Sequence, residues 1–233
     1  MKRKIIRLKE TDSTNEYIRR NISAFGNGDT VIASRQTAGK GTSGRSFYSP
    51  ESGLYMSIAL VSPKEELLPF VTPAAAVAVR NALKKVFGAD AAIKWVNDIL
   101  IDGKKVCGIL CEKTENTAIV GIGINLSEPE GGFPEEIKDI AGAVLTRTPS
   151  PREKRKLVRS VRNNLLTLFS KESGEEIIEE YAAHSAVLGK RVEVTRGENK
   201  TAGTAVRITR EGYLTINDGK EEIVVASGTL RFI

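Results

Sequence analysis

Cysteine and histidine are scarce in this chain of 233 residues, which has two of the first and one of the second, and no apolar run is long enough to cross a bilayer. Each scarcity argues against a class of chemistry. His184 is remote in sequence from Cys107 and Cys111, and the cysteine spacing is not that of a zinc knuckle, which speaks against a metal site. The cysteines lie in an alternating stretch, residues 106–112, where positions four apart share a strand face but stand too far apart for an easy disulfide. They read as buried apolar thiols. Met1-Lys2-Arg3-Lys4 runs directly into a strand-like Ile5-Ile6-Arg7-Leu8 without a signal-peptide apolar region, so a cytoplasmic protein with no membrane partner is expected. Internal repeats and low-complexity tracts are missing too.

What is present is ordinary in bulk. Hydrophobic residues at 40% and charged ones at 27% match a globular protein with one sizeable core, or one large and one small domain. A net charge of +6 and a pI near 9.3 raise the question of nucleic acid. The cations are interleaved with acids, however, and runs such as Arg152-Glu153-Lys154-Arg155-Lys156 suit a solvated helix face better than a groove-tracking stripe. A non-catalytic RNA-binding β protein would also want a stacked-aromatic motif, and none is seen.

The pattern along the chain alternates strands and helices. A strand over residues 4–9 leads to Asp12-Ser-Thr-Asn-Glu16, where Ser13 and Glu16 have capping-box spacing for a helix through about Arg20. Strands follow over residues 30–35 and 53–60, an alanine- and valine-rich helix over 69–87 that Gly88 ends, and a strand over 91–95. Asp102-Gly103 signals a tight hairpin, with strands continuing to Asn125. Residues 152–185 are helical, with Leu157, Val161, Leu165 and Leu168 as the apolar stripe and Gly174 as a break. From about Leu188 the texture changes to short strands over 191–195, 201–209, 213–216 and 222–226, as in a small barrel.

Residues 36–46 set Gly39, Gly41 and Gly44 in one loop with Lys40 and Arg45. Glycines can take positive φ and bring backbone N–H groups close to an anion, and the two cations would add full charges. The competing reading is a mobile surface connection. A Walker-type phosphate loop fits poorly, because Arg45 stands where that motif demands lysine.

Asp12-Ser-Thr-Asn15, Gln36-Thr-Ala-Gly-Lys-Gly41, Lys94-Trp-Val-Asn-Asp98, Lys105-Val-Cys-Gly-Ile-Leu110 and Gly121-Ile-Gly-Ile-Asn125 together resemble the biotin protein ligases, in that order and at similar spacing. The resemblance covers essentially the whole chain. It implies an α+β fold: a mixed sheet with flanking helices, similar to the class II synthetase catalytic fold, over residues 1–186, and a small SH3-like β domain over 187–233. It further implies a short form without the N-terminal DNA-binding module of some members, so no DNA partner is expected. The implied activity consumes ATP with Mg2+ to turn biotin into biotinyl-5'-AMP, and passes the biotin to a lysine of a biotin carboxyl carrier protein.

Residue by residue, the resemblance makes Lys105 the cation that bridges biotin's carboxylate and the α-phosphate, although a solvent-facing hairpin lysine is the plain alternative. Such a site needs fixed positive charge, since two anions must meet and charge grows on the phosphoryl oxygens. Arg45 and Lys40 would fold over the ligand in a loop that is expected to be disordered without it. Ser13, Thr14, Asn15 and Gln36, with Gly41, Thr42 and Gly108, match biotin contacts, though Ser13 can also serve as a helix cap. Phe47 and Trp95 are candidate apolar walls or plain core aromatics. Lys94, Asn97, Asp98 and Asn125 match positions near the nucleotide and its magnesium; no metal ligand is assigned.

Two departures stand out. Val96 replaces a usual proline, and Thr42 replaces the second loop cation that helps the family retain its adenylate, so leakier retention is expected. A lipoate or octanoate ligase of the same fold is the alternative enzyme, but its arginine-plus-glycine-run motif is absent. The family often pairs its central sheet edges into a homodimer, which no residue here establishes.

Overall fold

Strand β1 (Ile5–Thr11) pairs in parallel with β2 (Thr30–Gln36), joined through helix α1 (Thr14–Arg20) and a 3-10 turn at Ile22–Ala24. The computed structural model describes residues 3–170 and 173–233. The expected run from Met1 and Lys2 into the first strand, and the part of the helical stretch at Lys171 and Glu172, lie outside the described residues.

Every other neighbour in the main sheet is antiparallel: β3 (Leu54–Val61), β4 (Ala92–Lys94), β5 (Asp98–Ile101), β6 (Lys104–Thr114) and β7 (Thr117–Ile124) complete a seven-stranded sheet of order β1-β2-β3-β7-β6-β5-β4. The expected β5–β6 hairpin is there, with Asp102 (φ 50°) and Gly103 (φ 75°) both left-handed, as a two-residue turn of that twist requires.

Alternation along the central strands gives the sheet two unlike faces. Met56, Ile58, Leu60, Cys107, Ile109, Val120, Ile122 and Ile124 turn to one side and meet helix α2 (Val71–Phe87). That helix is buried nearly all round, and its alanines at 74, 75, 76, 78 and 82 are inaccessible to solvent because α3 (Pro151–Leu168) packs on its outer side. Gly88 ends α2 at φ 71° with its N–H bonded to Lys84 O, the stop that its sequence predicts. Ser150 and Glu153 form a reciprocal capping box at the start of α3, behind Pro151. On the opposite face, α1 covers only part of the sheet and leaves the middle of β6 and β7 open.

Helix α4 (Glu175–Ala183) leads to a second sheet, formed by β8 (Arg191–Arg196), β9 (Asn199–Ile208), β10 (Leu214–Asn217), β11 (Glu222–Val225) and β12 (Thr229–Phe232) in the order β11-β10-β9-β8-β12. The terminal strand β12 carries no sequence signal of its own; antiparallel pairing to β8 makes it a strand. Val192, Val194, Ala205, Leu214, Ile216 and Leu230 join the same buried cluster as α2. Trp95 is part of that junction: it is 2% exposed and donates its indole N–H to Gly212 O at 3.1 Å. It is a core aromatic rather than a wall of the ligand site.

Candidate ligand cleft

Glycine makes the floor. Gly108 of β6 lies directly opposite Gly123 of β7, and Leu110 lies opposite Gly121, all on the face away from α2. A Cβ on Gly123 would stand 2.6 Å from the Phe47 ring and one on Gly108 2.9 Å from it, while one on Gly121 would run into the Asn15 amide. These positions exclude any larger residue, because real carbon contacts do not approach that closely. Above the floor is a cleft of about 600 Å³, a size suited to a small-molecule ligand.

One end of the cleft is polar and tightly partnered. Ser13, Thr14 and Asn15 are each 3–4% exposed at the start of α1. The Thr14 backbone N–H donates to Gln36 Oε1 at 2.9 Å, and Gln36 Nε2 donates to Ser49 Oγ at 3.1 Å. Asn15 Nδ2 donates to Leu110 O at 3.2 Å and to Glu112 Oε2 at 2.7 Å. Ser57 of β3, fully buried, lies between them, 2.7 Å from Thr14 Oγ1 and 2.6 Å from Asn15 Oδ1. The capping box expected of Ser13 and Glu16 does not form. Ser13 makes no side-chain cap, and the Glu16 carboxylate that would form the other half of the box is drawn to Lys40 and Arg19.

The glycine-rich loop closes the front. The Phe47 N–H donates to Gly39 O at 2.8 Å and the Gly41 N–H to Arg45 O at 2.7 Å, which gives the loop a hairpin-like path. Only one of its glycines, Gly44 (φ 74°), has positive φ; Ser43 (φ 57°) joins it. Gly39 is required for a different reason, since a Cβ there would stand 2.5 Å from Ser49 Oγ. The loop's cations are parked on neighbours: Lys40 Nζ is 2.6 Å from Glu16, and Arg45 donates to Thr42 Oγ1 at 2.9 Å. The Lys40 contact, aided by the Arg19 charge and opposed by desolvation, holds the Glu16 carboxyl below its ordinary value.

Lys105 stands at the back of the floor, where its Nζ is 2.6 Å from Asp98 Oδ1 and 5.9 Å from the Phe47 ring centroid. Burial, together with the nearby charges of Lys105 and Arg45, pushes Lys94 below the usual lysine range against the opposing pull of Asp98. Three cations and one carboxylate thus share a single neighbourhood.

Ser13, Thr14, Asn15, Gln36, Lys40, Gly41, Thr42, Arg45, Phe47, Asn97, Lys105, Gly108 and Asn125 all line this cleft. Lys94 and Asp98 do not; Asp98 reaches it through its ion pair with Lys105, and Lys94 Nζ lies over the Phe232 ring at 5.6 Å. The Asn97 and Asn125 amides are occupied as donors, to Ile109 O at 2.7 Å and Gly142 O at 3.0 Å, which leaves their oxygens as acceptors. Ser57 and the segment 133–141 escaped the sequence reading. Ser57 had a signal, as a lone polar residue inside the apolar β3 run; the segment had none, being aperiodic and held by backbone bonds such as Lys105 N–H to Ile140 O at 2.7 Å. Among the described residues no group of three histidine, cysteine or acidic side chains could hold a metal ion.

The model of the biotin/lipoate A/B protein ligase family matches residues 7–127, just over half of the chain and the part that carries the glycine floor, the polar end and the loop. The chain belongs to that family. Over its full length it is similar to the solved biotin protein ligase from Aquifex aeolicus in complex with biotin and ATP, with a TM-score of 0.85 and 32% identity over 99% of each chain. That likeness takes in both sheets. A biotin--[acetyl-CoA-carboxylase] ligase of Mycobacterium tuberculosis is 27% identical over 94% of this chain and 85% of its own length. The bifunctional ligase/repressor BirA of Bacillus subtilis (strain 168) is 43% identical over 122 residues, which cover 49% of this chain and 37% of that protein. The chain therefore spans well under half of BirA's length in that match. No described helix is long and apolar enough to cross a membrane.

Proposed function

We propose that this protein is a biotin protein ligase that activates biotin with ATP and transfers it to a lysine of a biotin carboxyl carrier protein. One observation carries the reading: Lys105 stands on a side-chain-free glycine floor, with a buried hydrogen-bonding pocket at one end and a cationic loop in front. The biotin-and-ATP complex of the similar Aquifex enzyme supports it.

In the proposed reaction a carboxylate oxygen of biotin forms a bond to the α-phosphorus while the bond from that phosphorus to the β-bridging oxygen breaks, releasing pyrophosphate. The carrier lysine, as a free amine, then bonds to the acyl carbon and AMP leaves. Lys105 is assigned to relieve repulsion between the two anions and to stabilise charge on the phosphoryl oxygens, a role typically worth 10²–10³-fold in rate. Asp98 would hold its ammonium in place. The floor of Gly108 and Gly123 would let the ligand lie flat against backbone. Ser13, Thr14, Asn15 and Gln36 are assigned to the polar ring, and Lys40, Gly41, Thr42 and Arg45 to the loop that covers the reacting groups and excludes water. At the far end the apolar Phe133, Pro134 and Ile137 offer a face for the flat nucleotide base, beside Phe47, Asn97 and Asn125. Lys94 would add distant positive charge.

The residues do not fit a protein-built magnesium cage. Asp98 is taken up by Lys105, the Glu16 and Glu112 carboxylates are engaged by Lys40 and Arg19, and Glu136 is the one carboxylate among the described residues that line the cleft. No step is assigned to the metal, which enters as the counter-ion of the triphosphate.

The buried polar end favours a ring with donors and an acceptor over a plain aliphatic acid such as octanoate. Pyrophosphate release from ATP and magnesium, compared with biotin, lipoate and octanoate, tests this choice. Release with biotin alone supports the proposal; release only with the other acids would move the protein to lipoate-type ligation.

A further inference from the structure

Hydrogen-bond direction at the polar end is determined by which groups can donate. Asn15 Nδ2 lies between two groups that can only accept, Leu110 O and the Glu112 carboxylate, so the amide orientation is fixed by chemistry. Its Oδ1 must then accept, and the single Ser57 proton, 2.6 Å away, must be donated to it. That leaves the Ser57 oxygen only as an acceptor toward Thr14 Oγ1 at 2.7 Å. The Thr14 hydroxyl has two internal uses for its one proton, Ser57 Oγ and Gln36 Oε1 at 3.2 Å, and either one keeps the proton from a ligand. Gln36 is fixed too, because its Oε1 accepts a backbone N–H.

We infer that Glu112, Asn15 and Ser57 form a proton-ordering chain that locks Thr14 as a hydrogen-bond acceptor toward the cleft, making Ser57 and Glu112 specificity-determining positioning residues for a ligand ring N–H. The chain starts at the Glu112 carboxylate of β6, where Arg19 Nη2 holds the other Glu112 oxygen at 2.7 Å. Both carboxylate oxygens are therefore committed, one to Arg19 and one to Asn15. An amide in that place has a single acceptor, so one partner must lose. The inference rests on the proposed biotin reading, and it adds that the ring is recognised by bond polarity as well as by shape.

The test uses direct calorimetric binding, without ATP, of biotin and of its two cyclic-carbamate analogues, in which one or the other ring N–H is replaced by oxygen. The replacement hardly changes size but turns a donor into an acceptor. The natural protein should reject one analogue by about 100-fold or more relative to biotin, since two acceptors then face each other. In Ser57→Ala the Thr14 proton keeps only the longer Gln36 contact at 3.2 Å and can be drawn toward a ligand acceptor, so that discrimination should shrink about tenfold. Glu112→Gln should shrink it in the same direction by less, and this nearly isosteric change at a partly exposed side chain keeps the test usable if the buried alanine variant folds poorly. Unchanged discrimination in folded Glu112→Gln and Ser57→Ala, with the natural protein binding biotin and rejecting the analogue, overturns the inference alone. A natural protein that binds no biotin overturns the functional proposal with it.

Discussion

The two ends of the cleft are built on opposite principles. At the polar end, Thr14, Asn15 and Ser57 are buried and bonded to one another and to the partly buried Gln36 and Glu112 before any ligand arrives. In the glycine-rich loop the Lys40 side chain is 49% exposed, and the cations are held only by contacts that a ligand can replace. The difference teaches where specificity and closure reside: a buried network cannot rearrange cheaply, whereas an exposed ion pair contributes about 1 kcal/mol or less.

The comparison breaks most completely if the polar end is forced apart. Gly121→Ala drives a methyl group into Asn15, and biotin binding measured by calorimetry should weaken about 100-fold, as expected when positioning groups shift by an ångström. Asp98→Asn should come next, because it removes the partner that fixes Lys105: turnover in the pyrophosphate assay should fall about tenfold with little change in biotin affinity.

Changes in the loop should be milder. Thr42→Arg restores a second cation and deprives Arg45 of its hydroxyl partner; release of the adenylate into solution should slow several-fold, and equal release rates would refute the idea that Thr42 makes retention leaky. Glu16→Gln frees Lys40 and should alter stability by less than about 1 kcal/mol, read by denaturant titration. The smallest effect belongs to Glu153, remote from the cleft. Its bond from Arg147, helped by Ser150, holds the carboxyl down at about 2 rather than 4.5. Folded Glu153 thus binds fewer protons than unfolded, so its contribution is full above pH 4.5 and is lost as pH falls toward 2, which thermal melts across that range should show as a gradual decline.

The split between the ends also explains what could be read in advance. Ser13, Thr14, Gln36, Lys105 and Gly108 sit in short motifs whose spacing is tied to regular strands and one helix start, so sequence order carried them into one cleft. Strand alternation likewise revealed the core face of β3, β6 and β7. Trp95 could not be placed that way, because its neighbour Gly212 is 117 residues distant. The strand β12 and segment 133–141 depend on long-range backbone pairing, to β8 and to Lys105, which no local pattern encodes. Ser13 and Glu16 show the opposite failure: the capping signal was clear, but stronger charged partners claimed Glu16.

The central claim is that Lys105, on its glycine floor, lets two anions join. Biotin-dependent pyrophosphate release by the natural protein and by Lys105→Ala tests it most directly. The account predicts robust release by the first and a loss of at least about 100-fold in the second, with folding intact. Undiminished release by Lys105→Ala would contradict it.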